Sequence, residues 1–348
     1  MSAQQYRYSV SGSAPYLYPT DTYFAILYYS KDESLAVPKR YPYAGQWGEP
    51  LSTVVLHRMD YPMPVKLDMV WLSLTEQRFY SIEAPLPTER LEQLWQEAGD
   101  DAYTQIVVGM APCGGVALWL SGDYRQTLVS WLQAEPFAAN IDHFLSASTA
   151  DTLAEHCQGY LQENEAALNQ LKRFGPPQPD LYARLMHQFD YCYDIAFRRW
   201  NADNKVWEDL DAEAVAPELD DVEEALTDGT FDRRHDGRLL SPHQGGLPVR
   251  LSAAWHVGRN KYSIHFWFDD EKLYAYFYHL LRSGKDKSLR LRLLIDPDLK
   301  KLQIVLTEAQ TEQTVAIDEA TYQYILFKDG FEQQRSKNYN QPRGAWVW

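Results

Sequence analysis

The sequence predicts an α+β fold: two repeated units, each a four-stranded antiparallel sheet with helices, joined by a helical insert. Three observations lead there. A set of residues recurs with the same internal spacing in both halves of the chain. Each copy carries a helix-like segment between pairs of strand-like runs. The composition, 45% hydrophobic and 14% aromatic over 348 residues, is that of a folded chain with room for about two domains.

The repeat comes first because a missed repeat misassigns a whole fold. Pro64-Val65-Lys66-Leu67 followed by Trp71 matches Pro248-Val249-Arg250-Leu251 followed by Trp255. A polar turn then leads to Phe79-Tyr80-Ser81-Ile82 in one copy and Lys261-Tyr262-Ser263-Ile264 in the other. Helical segments follow at Thr88–Ala98 and Asp270–Arg282, and glycines close them at Gly99 and Gly284. Next come strand-like runs at Tyr103–Met110 and Leu289–Ile295, the second alternating leucine and arginine at period two. Turns at Ala111–Gly115 and Asp296–Lys300 lead into strands Val116–Leu120 and Leu302–Leu306. A closing helix is expected near Tyr124–Gln133 and again near Asp318–Phe327. An antiparallel sheet with one face covered by helices is the simplest packing for this order.

The remaining segments set the domain plan: residues 1–60 as an aromatic, Pro-rich N-terminal segment, 61–149 as the first unit, 150–240 as the insert, and 241–348 as the second unit. Within residues 1–60, Thr22–Tyr29 reads as a strand. In the insert, Ala150–Phe174 has helical spacing and ends at Gly175-Pro176-Pro177. Leu181, Leu185, Phe189, Tyr193 and Phe197 suggest a second helix over Pro179–Trp200. Glu208–Asp228 is rich in acids and lacks any basic residue, the pattern of a solvated face, a linker or a contact surface for a basic partner. The tail Ser336–Trp348 is expected to dock, because burying Trp346 and Trp348 is favourable.

Charge excludes some functions. With 48 acidic and 33 basic side chains the formal charge is −15, which disfavours nucleic-acid backbones and anionic membrane surfaces. The start, Met1–Val10, has no signal-like pattern, and no apolar run approaches the ~20 residues that span a bilayer. A cytoplasmic location is expected, or a periplasmic one were the sequence a processed form. Cys113, Cys157 and Cys192 are widely spaced and suggest free thiols.

No catalytic constellation emerges. Nucleophile-elbow, HExxH and phosphate-loop patterns do not occur. Cys113 sits in Ala-Pro-Cys-Gly-Gly, which reads as a tight turn, since the second copy places Asp298 or Leu299 there. Asp232, His235, Asp236 and His243 are the densest group of metal-ligand types, but Arg233, Arg234 and Arg238 are interleaved and oppose a cation. Arg282, Lys285, Lys287, Arg290 and Arg292 read as a solvated basic face. No metal, cofactor or catalytic residue is expected, and the chain is read as a non-enzyme.

Within the first copy, Trp71, Ser73, Glu76, Tyr80, Gly109, Ala111, Pro112, Gly114 and Trp119 form a Trp-x-Ser-x-x-Glu core, a Tyr and a Gly-x-Ala-Pro-x-Gly turn before a short strand. This pattern resembles the bacterial domain-of-unknown-function family 2931. The ending FEQQRSKNYNQPRGAWVW is similar to the end of that family's long, two-copy members, and the resemblance spans roughly residues 60–348. It implies an immunity role: genes of the family often lie beside type VI secretion toxins, phospholipase-like effectors especially. The expected partner is a cognate protein toxin, with no nucleic acid and no membrane insertion. Alternatives are an adaptor or chaperone for toxin loading, or a metal-dependent hydrolase using the Asp232–His243 cluster. Partner contacts are expected on the acidic insert at Asp220, Asp221, Glu223, Glu224, Asp228, Asp232 and Asp236.

Overall fold

The computed structural model describes the chain apart from residues 1–3, 41, 53–59, 100–101, 140–151, 211–216, 235–242, 282–287, 309–312 and 338–348. Among the described residues two compact units emerge: one runs up to Met186 and includes Asp228–Thr230, and the other comprises His187–Thr227 and the chain from Phe231 onward. The fold is mostly β, with 50% of the described residues in strands against 19% in helices, which overturns the α+β expectation.

The first unit holds strands β1 (Tyr6–Arg7), β2 (Ser9–Ser13), β3 (Thr20–Tyr28), β4 (Ser34–Ala36), β5 (Asp60–Tyr61), β6 (Lys66–Ser73), β7 (Arg78–Pro85), β8 (Gln105–Met110), β9 (Gly115–Ser121), β10 (Arg125–Gln133) and β11 (Glu135–Phe137). They form two main sheets within the unit, β11-β7-β6-β3-β4 and β2-β8-β9-β10, in which β2 and β8 run parallel. Alternation explains the shared core. Leu67, Met69 and Trp71 face inward from one sheet, and Ile106, Val108, Met110, Leu118 and Leu120 from the other. Helix α1 (Thr88–Ala98) crosses between the sheets and adds Leu91, Leu94 and Trp95, the last against the rings of Tyr6 and Tyr8.

Helices α2 (Leu153–Glu163), α3 (Glu165–Phe174) and α4 (Pro179–Leu185) finish this unit. A capping box opens α2: Glu155 N–H donates to Thr152 Oγ1 at 3.2 Å while Thr152 N–H donates to Glu155 Oε2 at 3.1 Å. Asn164 ends α2 and caps α3 by accepting from Ala167 N–H at 3.0 Å. Cys157 of α2 packs with Leu72, Leu74 and Phe79 on the outer side of one sheet. Tyr182 and Leu185 of α4 join Trp47, Trp119 and Val107 on the outer side of the other. The first unit's sheets are thus buried on both faces in part, unlike the half-exposed sheet that simple alternation suggests.

The second unit holds β12 (Phe189–Phe197), β13 (Arg199–Asn201), β14 (Val206–Glu208), β15 (Glu218–Leu226), β16 (Phe231–Arg234), β17 (His243–Gly245), β18 (Pro248–Val257), β19 (Asn260–Phe268), helix α5 (Asp270–Leu281), β20 (Leu289–Ile295), β21 (Leu302–Glu308), β22 (Thr314–Ala316), β23 (Tyr322–Lys328) and β24 (Phe331–Arg335). Its sheets run β16-β15-β18-β19-β23-β24 and β17-β12-β20-β21-β22, with β12 parallel to β20. The same wiring serves both units. β6 and β7 correspond to β18 and β19, α1 to α5, β8 and β9 to β20 and β21, and β2 parallel to β8 corresponds to β12 parallel to β20. One cross-strand pair recurs in detail: Trp71 faces Tyr80 with ring centroids 5.5 Å apart, and Trp255 faces Tyr262 at 5.6 Å.

Several expected helices are strands. Tyr124–Gln133 contains β10, whose Thr127, Val129 and Trp131 suit a pleated surface better than a helix. Asp318–Phe327 holds a 3₁₀ turn at Glu319–Thr321 and most of β23. The helix expected over Pro179–Trp200 stops at Leu185, and β12 follows. Among the described residues the helical insert therefore covers 153–185, and the acidic run ends as strand β15. Trp346 and Trp348, expected to dock, lie outside the described residues. Among the described residues no helix is long and apolar enough to cross a membrane.

Candidate functional site

The motif residues meet at the turn between β8 and β9. Pro112–Gly114 forms a single 3₁₀ turn in which Cys113 takes a left-handed backbone, φ 58° and ψ 24°. Gly114 follows at φ +79°, where a Cβ would lie 2.6 Å from Ala134 O, so glycine is required there. Glu76, from the turn joining β6 and β7, closes this arrangement. Its Oε2 accepts from Cys113 N–H at 2.9 Å and its Oε1 accepts from the Tyr80 hydroxyl at 2.8 Å. Gln133 Nε2 donates to Cys113 O at 2.7 Å, and the Cys113 thiol donates to Pro177 O at 3.6 Å. Burial, then the charge of Glu76, pushes the Tyr80 hydroxyl above its ordinary range, so it stays a donor.

The other motif residues are spent on packing. Trp71 and Trp119 are fully buried. Gly109 leaves room for Trp119, whose ring would lie 2.4 Å from an added Cβ. The Trp119 indole N–H donates to Asp228 O at 2.9 Å. The second unit repeats the turn with other residues. Leu299 takes the left-handed backbone at φ 62°. The buried Asp296 carboxylate accepts from Asp298 N–H at 2.8 Å and from Trp200 N–H at 2.5 Å. In both units a carboxylate accepts a backbone N–H of the turn, from Cys113 itself in the first and from Asp298, next to Leu299, in the second, and leucine takes the left-handed backbone in one place as cysteine does in the other. The geometry at Cys113 is that of a turn closure.

The acidic run has a different organisation from a solvated linker. Strand β15 lies between β16 and β18, and a bulge at Asp220 shifts its register against β18. The pairing sets Asp221 opposite Ala254 and Glu223 opposite Ser252, on the outward side of the sheet. There Arg233 Nη2 meets Asp221 Oδ2 at 3.0 Å and Arg233 Nε meets Glu223 Oε2 at 3.8 Å, while Arg250 also pairs with Glu223. His256 contacts Glu218 Oε2 and Asp220 Oδ1, each at 2.9 Å. Four carboxylates stand against Arg233, Arg250 and the exposed Lys261 opposite His256, which leaves this face acidic while His256 is neutral.

The seven expected partner residues therefore separate. Asp220, Asp221 and Glu223 gather on the outward face. Glu224 and Asp228 are buried, 3% and 1% exposed, and are withdrawn as surface contacts. Glu224 turns toward Tyr193, whose hydroxyl burial holds well above its ordinary range. Asp228 Oδ1 accepts from Thr230 N–H at 2.9 Å. Asp232 stands opposite Glu224, on the other side of the sheet from Asp221 and Glu223. Asp236 lies outside the described residues. Sequence reasoning missed Glu218 and the cations Arg233, Arg250 and His256, which face the acids from neighbouring strands.

Of the hydrolase cluster, His235 and Asp236 also lie outside the described residues. Asp232 is on β16, while His243 is on β17, which pairs with β12 in the unit's other sheet. Among the described residues no three His, Cys, Asp or Glu side chains are grouped to hold a metal.

Duplicated two-sheet units, each with one crossover helix and a carboxylate-closed turn, define the class of scaffold. Residues 1–171 match the family described as "Protein of unknown function (DUF2931)", which supports a place in that family. That stretch contains every motif position from Trp71 to Trp119. It starts earlier than the resemblance over 60–348 and ends within α3, ahead of the second unit. No curated protein and no solved structure matches the chain.

Proposed function

We propose that this protein is a non-enzymatic binding protein that neutralises a cognate bacterial protein toxin, with a phospholipase-like type VI secretion effector as the first candidate. The observation that carries this reading is the use made of the motif. Trp71, Trp119 and Gly109 fill the core, and Glu76, Tyr80 and Gly114 hold a turn. A pattern spent on scaffolding leaves recognition to the exterior, as a binding protein requires. The outward face of β15, with Asp220, Asp221 and Glu223 beside Glu218, is a net acidic surface suited to a basic patch on the toxin.

The test is co-expression with a candidate phospholipase-like toxin, read as host survival and as co-purification of the two chains. A neutraliser restores growth and forms a stable complex. Growth arrest despite a stable complex would identify an adaptor and refute the reading. Replacing Asp220, Asp221 and Glu223 by Asn, Asn and Gln should slow association at low salt, since rim charges act chiefly on the on-rate.

A further inference from the structure

The acidic chain has a cleft of opposite character. In the second unit, the start of β21, the 3₁₀ turn at Glu319–Thr321 and strands β23 and β24 enclose about 450 Å³. Lys300, Lys301, Arg335 and Lys337 line it, with Glu319 as the acid among the described lining residues. Half-buried Tyr324 is among its lining residues, while Tyr322, also in the lining, is 2% exposed and has its ring in the core against Phe266 and Phe268. Lys301 Nζ also sits 5.5 Å from the ring centroid of Trp200, which packs against Trp207 at 5.3 Å. The volume falls within the range of about 300–1,000 Å³ typical of sites for small ligands and side chains.

We propose that this cleft binds an acidic peptide segment, seating carboxylate side chains on the lysines and an apolar side chain against Tyr324. The assignment stands apart from the toxin reading and does not depend on it. Three features favour a peptide. Arg335 and Lys337 are two residues apart and both line the cleft, the spacing at which an extended chain presents side chains on one side. Tyr, Trp and Arg together are the residue types that dominate protein recognition. The ion pairs present, Lys300 with Asp298 at 3.1 Å and Lys301 with Glu319 at 3.8 Å, are exposed, so they exchange readily for a ligand carboxylate. A phosphate site calls for bidentate arginine or convergent backbone N–H groups. Here three of the four cations are lysines, and Arg335 already grips Glu332.

The experiment uses the full chain and a fluorescein-labelled peptide of alternating glutamate and leucine, followed by anisotropy at low salt. Saturable binding is expected, weakened about tenfold or more by the combined Lys301→Glu, Arg335→Glu and Lys337→Glu substitutions, and weakened likewise when the peptide carries glutamine for glutamate. A milder variant with Lys300→Gln, Lys301→Gln and Lys337→Gln should lose affinity while keeping the wild-type melting profile. Lys205→Glu with Lys261→Glu, at exposed positions outside the cleft lining, should bind as wild type does. Equal affinity for wild type and both cleft variants overturns the proposal. So does displacement by an equal concentration of inorganic phosphate, or tighter binding of a single-stranded oligonucleotide, either of which would make phosphate the ligand.

Discussion

Glu76→Ala is the most informative single change in the first unit. It deletes the acceptor for Cys113 N–H at 2.9 Å and for the Tyr80 hydroxyl at 2.8 Å while leaving the core intact. Hydrogen bonds to a charged group contribute about 1.5–3 kcal/mol each. Glu76 and Cys113 are only half-buried, so water replaces part of what is lost, and a net cost of about 2 kcal/mol is expected. For a unit of this size that lowers the melting temperature by about 4–8 °C. Glu76→Gln keeps one acceptor oxygen and should cost about half as much. Cys113→Gly should act in the opposite sense. It relieves a left-handed backbone that costs a side chain about 1–2 kcal/mol, and gives back part of that through a freer unfolded chain. A net gain of about 0.5–1 kcal/mol is expected. Urea and thermal unfolding followed by tryptophan fluorescence measure all three. If Glu76→Ala unfolds at the wild-type urea concentration, the hairpin closes itself. The assignment of Glu76 to turn closure would then fall.

Two further predictions concern titratable groups. Cys157 is fully buried, and burial, with Asp21 nearby, pushes its thiol up to about 12, so iodoacetamide at mildly alkaline pH should leave it unmodified in the folded protein and alkylate it in urea. Peptide mass spectrometry reads this; alkylation as fast as that of the half-buried Cys192 would contradict the packing of α2. His265 is held below its ordinary value by burial and by Arg250, with its Nδ1 2.8 Å from Ser252 Oγ. The unfolded chain therefore takes up this proton first. The stabilisation is complete above the unfolded value near 6.5 and declines as pH falls toward the folded value. The wild-type melting temperature should drop across that window more steeply than that of His265→Gln, and parallel profiles would remove His265 from the acid response.

The fold was legible where a pattern had one physical meaning. The proline-to-tryptophan spacing marked both copies, and α1 runs over Thr88–Ala98 as the 3.6-residue period predicts. It was illegible where one pattern serves two structures. Leu181, Leu185, Phe189, Tyr193 and Phe197 recur every four residues, and four is both a helical step and an even number. On β12 that spacing puts Phe189, Tyr191 and Tyr193 into the core on one side of a strand, with register to β20 holding them there. The closing helices failed for the opposite reason. Each was inferred to complete a single sheet, whereas each unit divides its strands between two sheets and needs a strand there to extend one of them.

The candidate sites show the same limit from the side of charge. A run of acids over Glu208–Asp228 without a basic residue reads as solvated only if its neighbours in space are its neighbours in sequence. Strand pairing removes that condition. Arg233 arrives from β16 opposite Glu223, Arg250 reaches Glu223 diagonally from β18, and His256, also on β18, stands opposite Glu218. Alternation then sorts the acids themselves. Glu223 and Glu224 are adjacent in sequence, yet one faces the arginines and the other is sealed beside Tyr193. At the motif turn the missing information was likewise partnership. Glu76 and Cys113 are 37 residues apart, and only the juxtaposition of two hairpins shows that the acid serves the turn. A residue type in a sequence states what chemistry is available, and in a β fold the opposing strand decides whether that chemistry is offered to a ligand or consumed by the fold.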